Sequence, residues 1–131
     1  MTVNIGDYTE VKAVVSEDRL AVNMGSGDLR VLATPAVVAL MENAAAKLAS
    51  SALEDGLTTV GCEISVSHSS PTPLNAEVKA RATLTELDGR LFRFKVEAFD
   101  KAGLIAEGVH TRVSVKADKF QRKADEKFDE V

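Results

Sequence analysis

The chain has 131 residues, 45% of them hydrophobic and 27% charged, with 16 Lys and Arg against 20 Asp and Glu. That length suits a single domain over 1–131 with a core of its own, and the balance of apolar and charged residues excludes a disordered chain. The formal charge of -4 argues against nucleic acid as the main partner, because a phosphate backbone calls for a basic surface. Cys62 stands alone, so no internal disulfide can form and a reducing cytoplasm is the expected compartment. No uninterrupted apolar run approaches membrane-spanning length, and no membrane partner is expected.

In chain order, Val11, Ala13 and Val15 alternate over 10–16, and Leu20, Val22 and Met24 over 18–24. Both segments read as short strands or one bent hairpin. Gly25-Ser26-Gly27-Asp28 is a flexible connection rather than a phosphate cradle, since the Lys of a P-loop is missing. Thr34 then predicts an N-cap and Pro35 a first helical position. Val37, Met41, Ala44, Leu48 and Ala52 recur at helical spacing, and Asp55-Gly56 supplies a stop.

From Thr58 to Ser69 the period changes to two, with Val60, Cys62, Ile64, Val66 and His68 on one face and Gly61, Glu63, Ser65 and Ser67 on the other. Strands follow over 77–86, with Asp88-Gly89 as a hairpin turn, and then through Phe92, Phe94, Val96 and Ala98. A last strand runs over 104–115, where Gly108 suggests a bulge. Phe120, Ala124 and Phe128 are spaced for a short terminal helix. The expected architecture is α+β: strands, one long helix, then four strands in meander order, with the antiparallel sheet wrapped around that central helix. Its uncovered edges predict a homodimer.

Three polar residues sit where apolar or capping ones belong: Thr34, Glu42 and His68. The helical neighbours of Glu42 are Val38, Ala39, Ala45 and Ala46, an apolar setting that a carboxylate occupies only for a reason. The plain alternatives are a helix cap for Thr34, a surface position for Glu42 and an edge histidine for His68. Thr34 and Glu42 lie ~12 Å apart along a helix and ~80° around it. With side chains leaning toward the N-terminus, an imidazole between hydroxyl and carboxylate is a tight fit. If one chain cannot bring them together, an interface between two copies can.

The series Val31-Leu32-Ala33-Thr34, Leu40-Met41-Glu42 and Gly61 through Ile64-Ser65-Val66-Ser67-His68 resembles the fluoroacetyl-coenzyme A thioesterase family of hotdog-fold proteins. Its Thr, Glu, Gly and His fall at the intervals of positions 34, 42, 61 and 68. The resemblance extends from about Gly6 to Phe120 and takes in Gly108-Val109-His110-Thr111-Arg112. It implies a hotdog fold and hydrolysis of an acyl-CoA thioester at a dimer-interface site, with neither metal nor cofactor. Thr34 would be nucleophile or water-orienting hydroxyl, Glu42 nucleophile or general base, and His68 the proton carrier. The Gly61 backbone N–H would polarise the carbonyl. Arg112 would meet a coenzyme A phosphate or, alternatively, pair with a carboxylate. Tyr8 stands in an N-terminal region without phenylalanine and Asn43 where the namesake has an aromatic, so a short or medium acyl-CoA is the expected substrate. The competing reading is a hotdog module that binds acyl-CoA or another apolar ligand without turnover. Partners are then acyl-CoA and a second copy of the chain, or two such dimers.

Overall fold

The computed structural model describes residues 2–129. Strand β1 is Tyr8–Val14, followed by a 3-10 turn Glu17–Arg19 and a single-turn helix α1, Ala21–Met24. Helix α2 is Thr34–Ser50, and strands β2 (Leu57–His68), β3 (Glu77–Asp88), β4 (Leu91–Asp100) and β5 (Gly103–Lys116) follow before helix α3 (Ala117–Asp125). One antiparallel sheet forms in the order β1-β3-β4-β5-β2.

α2 packs its Ala36, Val37, Met41, Ala44, Ala45, Leu48 and Ala49 face on the concave side of the sheet. Alanines at four of those positions let the helix approach closely. Phe92, Phe94, Val96 and Ala98 of β4, with Val78, Ala80, Ala82 and Leu84 of β3, complete the core from below. Their alternation with Arg93, Lys95, Lys79 and Arg81 follows the two-residue strand period, and removing such side chains from water is the main stabilising term.

Several expectations are corrected. The last four strands are not a simple meander: β3, β4 and β5 are, but β2 lies beyond β5. Residues 69–76 carry the chain across to β3, whose partner on the outer side is β1. Residues 18–24 are not a strand. Leu20 is buried, but Val22 and Met24 are 41% and 44% exposed, and Ala21 and Val22 N–H donate to Val31 and Leu29 carbonyls instead of entering the sheet. Thr34 is not the N-cap. Ala33 takes that place with extended backbone, Thr34 and Pro35 enter the first turn, and no side chain caps the helix. Gly56 does adopt a left-handed φ of 88°, and α3 forms where helical spacing predicts, ending before Phe128.

The expected bulge at Gly108 is absent; the register runs smoothly there, Val66 to Gly108 to Val96. The glycine has another cause. A Cβ at position 108 would fall on the Ser65 carbonyl oxygen and crowd the Val66 Cα. Both are backbone atoms that cannot step aside. Gly108→Ala is therefore expected to cost ~3 kcal/mol of stability, at the upper end of overpacking effects. A chemical-denaturation midpoint unchanged from wild type would show that β2 can shift to admit the methyl.

Candidate active site

The bulge that does exist lies in β2. Gly61 pairs with Arg112 and Glu63 with Thr111, leaving Cys62 as the extra residue. The alternation therefore changes phase at Cys62. Thr59 and Gly61 before the bulge share the helix-facing side with Ile64, Val66 and His68 after it, so Gly61 and His68 are on one face rather than on opposite ones.

At the end of β2, His68 meets the start of α2. Thr34 Oγ1 and His68 Nδ1 are 2.7 Å apart, a full hydrogen bond. The loop before Thr34 is held by Leu32 N–H on the Thr72 carbonyl and Ala33 N–H on the Arg19 carbonyl. The Ser69 N–H anchors the other side on the Ile105 carbonyl. His68 Nε2 is buried and makes no hydrogen bond among the described residues. Thr34 and His68 border a pocket of about 260 Å³, whose other walls include Ala21, Ser26, Leu32, Ser69 and Pro71.

Glu42 lies elsewhere. Its carboxylate is 42% exposed and 3.7 Å from Arg112 Nη1, and a Cβ on Gly61 would come within 2.9 Å of its Oε2. Gly61 precedes His68 by seven positions, on the order of 20 Å of extended strand. The hydroxyl–imidazole–carboxylate chain is thus not completed inside one chain: α2 runs antiparallel to β2, so each residue toward its C-terminus moves away from His68.

Arg112 is buried, not turned to solvent. Its Nε donates to Thr59 Oγ1 at 2.8 Å and its Nη2 to the Thr59 carbonyl at 3.0 Å. Of the two alternatives for this arginine, the structure shows a carboxylate beside it, Glu42 at 3.7 Å from Nη1. Nη1 also approaches His110 Nε2 at 3.2 Å, while His110 Nδ1 lies 2.8 Å from the Glu63 carbonyl. A carbonyl only accepts, so Nδ1 carries the proton and Nε2 accepts from arginine. Burial above all, and the Arg112 charge after it, push the His110 pKa below its ordinary 6.5, against opposing pulls from the Glu63 carbonyl and Glu42. His110 is a neutral strut between the bulge and the guanidinium that faces Glu42. Arginine and histidine on one inward row of β5 (Ala106, Gly108, His110, Arg112, Ser114) are the sequence signal that marks this network. Among the described residues no group of three or more His, Cys, Asp or Glu is placed to hold a metal ion.

The sequence profile described as fluoroacetyl-CoA-specific thioesterase matches residues 15–118. The chain belongs to that family. The fluoroacetyl-CoA thioesterase of Streptantibioticus cattleyicolor is 34% identical over 97 residues, covering 74% of this chain and 70% of that one. A crystal structure of the fluoroacetyl-CoA-specific thioesterase FlK superposes with a TM-score of 0.90 at 27% identity, over 97% of this chain and 98% of that one. A Thermus thermophilus thioesterase superfamily member reaches a TM-score of 0.89 at 23% identity, over 99% and 98% of the two chains, and shares the fold. The architecture is accordingly the hotdog fold, and the family is one of thioester hydrolases.

The His110 environment fixes a pH dependence. Its pKa is depressed in the folded protein and ordinary in the unfolded chain, so between the two values the unfolded chain binds more protons. Stability is full above pH 6.5 and falls as pH drops from there through the folded pKa. The urea midpoint of the wild type should decline in that window, and His110→Gln should flatten the decline. An equal decline in both proteins would remove His110 as its source.

Proposed function

We propose that this chain hydrolyses short or medium acyl-CoA thioesters at a site completed by a second copy of itself. The observation that carries the reading is the Thr34–His68 hydrogen bond at 2.7 Å together with the unpartnered, buried His68 Nε2. A hydroxyl on one imidazole nitrogen leaves the other nitrogen needing an acceptor, and Glu42 of the partner subunit supplies one. β2 is a free edge of the sheet, open to antiparallel pairing with its own copy across a two-fold axis. Matching inward faces requires a register symmetric about a residue of β2. Symmetry about Ser65 sets His68 opposite Cys62 at the bulge, beside Gly61 and hence beside the Glu42 that packs against it.

In that assembly Thr34 donates its proton to His68 Nδ1 as its oxygen attacks the thioester carbonyl. Glu42 of the partner subunit stabilises the imidazolium through Nε2, in the manner of a triad. The backbone N–H of Gly61 of the partner subunit, beside that same Glu42, receives the developing oxyanion. Absence of a side chain there keeps the approach beside the carboxylate open, since any Cβ would also lie 3.1 Å from His110 Cε1. The imidazolium returns the proton to the departing thiol, and water retraces the route to release the acid.

The pocket walls of this chain support that substrate range. Among the described residues of this chain no aromatic side chain lines the cavity beside Thr34 and His68, so this wall offers no ring to sense fluorine in place of hydrogen. Acetyl-CoA and fluoroacetyl-CoA should be hydrolysed with kcat/KM values within roughly tenfold of each other, since contacts of that size discriminate weakly.

Thiol release from acetyl-CoA and longer acyl-CoAs tests the activity; release no faster than buffer at every chain length would leave only ligand binding. His68→Ala and Glu42→Gln should each lower kcat by about 10²–10⁴-fold. Mixed one to one and refolded together, the two inactive variants should regain roughly a quarter of wild-type activity. Half the dimers then pair unlike chains, and each of these has one intact site of two. No recovery on mixing would place the whole site within one chain.

A further inference from the structure

At the far end of β5 the chain builds a second recess, of about 280 Å³, lined by Arg90, Val115, Lys116, Lys119, Phe120 and Lys123. Four cations converge there in a protein of net charge -4, and among the described residues no carboxylate lines the recess. None of the four forms an ion pair among the described residues. Helical spacing sorts the charges: Lys116, Lys119, Phe120 and Lys123 fall on the recess side of α3, while Asp118, Arg122 and Asp125 fall on the other. Phe120 is 43% exposed, an aromatic face left in water beside the cations. α3 buries none of its residues, so core packing does not account for this arrangement. Mutually repelling cations around an exposed ring suit a polyanion carrying a flat base.

We propose that this recess binds the nucleotide end of coenzyme A, its phosphates on Arg90, Lys116, Lys119 and Lys123 and its adenine on Phe120. This rests on the acyl-CoA reading above. The spacing suits it: Lys116 follows Arg112 by four residues of β5, about 13 Å of strand, and Arg112 faces the Glu42 carboxylate. An extended pantetheine arm reaches roughly 16 Å from sulfur to phosphorus at ordinary bond lengths. The recess therefore acts as a remote anchor, holding the part of the substrate that does not react.

Two measurements on the full chain test it. The first is calorimetric binding of 3′-phospho-ADP, which needs no turnover. Wild type should bind with an affinity that falls with salt. Lys119→Glu/Lys123→Glu should weaken binding by about tenfold or more through reversed charge, and Phe120→Ala should weaken 3′-phospho-ADP while leaving inorganic pyrophosphate unchanged. The second is kinetic. The double variant should raise KM for acetyl-CoA about tenfold or more with kcat retained, yet leave hydrolysis of the acetyl thioester of N-acetylcysteamine, which lacks the nucleotide, at the wild-type rate. All substituted side chains are exposed, and an unchanged melting temperature checks the fold. Equal affinity of wild type and double variant for 3′-phospho-ADP, or equal loss on the truncated thioester, would overturn the proposal. Nucleotide binding without any thiol release would instead keep the recess and overturn the hydrolase reading.

Discussion

One extra residue in β2 governs the rest of the site. With Cys62 accommodated as a bulge, Gly61 turns inward beside Glu42, and the strand resumes with His68 inward too. Without it, Gly61 and His68 would fall on opposite faces of the sheet, because a shift of one residue exchanges every side chain across a strand. The bulge is held from behind: His110 Nδ1–H donates to the carbonyl of Glu63, the residue just past the insertion. The same ring accepts from Arg112, and the same arginine nitrogen faces Glu42. Backbone register and carboxylate orientation are thus fixed by one imidazole.

This coupling explains why buried polar groups are tolerated in β5. Arg112 and His110 are almost wholly enclosed, a costly placement for a guanidinium unless each donor is used. Thr59 takes two of them, His110 a third, and Glu42 lies within reach of the charge. The network is more than ballast for the fold. It sets a carboxylate half in solvent, about two turns along α2 from the end that meets the chain's own His68.

Much of this was legible in the residues. The long helix, the strands on either side of Asp88-Gly89 and the inward row of Phe92 to Ala98 follow from periodicity and turn chemistry, and the family follows from the intervals between positions 34, 42, 61 and 68. Residues 18–24 were not legible: their alternation is real, but hydrogen bonds from Ala21 and Val22 to the returning segment 29–31 outweigh a pattern with only one buried member, Leu20. Thr34 illustrates a different limit. Local sequence marks it as a cap, and only the arrival of His68 from 34 residues downstream gives its hydroxyl another partner. Gly108 hides its reason as well, because the atom it avoids belongs to Ser65, on the neighbouring strand. The change of phase at Cys62 is invisible to any rule of strict alternation.

The strand at the opposite side of the sheet, β1, has seven residues and leaves one of its edges unpaired. Glu10 on its outer face binds Arg81 and Lys79 of β3, and Lys12 sits opposite Lys79. Any further strand laid along β1 would have to bring its own side chains against this fixed mixture of charges, a device that discourages sheet extension. Of the two open margins, one thus carries the bulge beside the site, and the other is electrostatically guarded. In the two-fold assembly proposed above, the sheet would double through β2 while β1 turns further strands away.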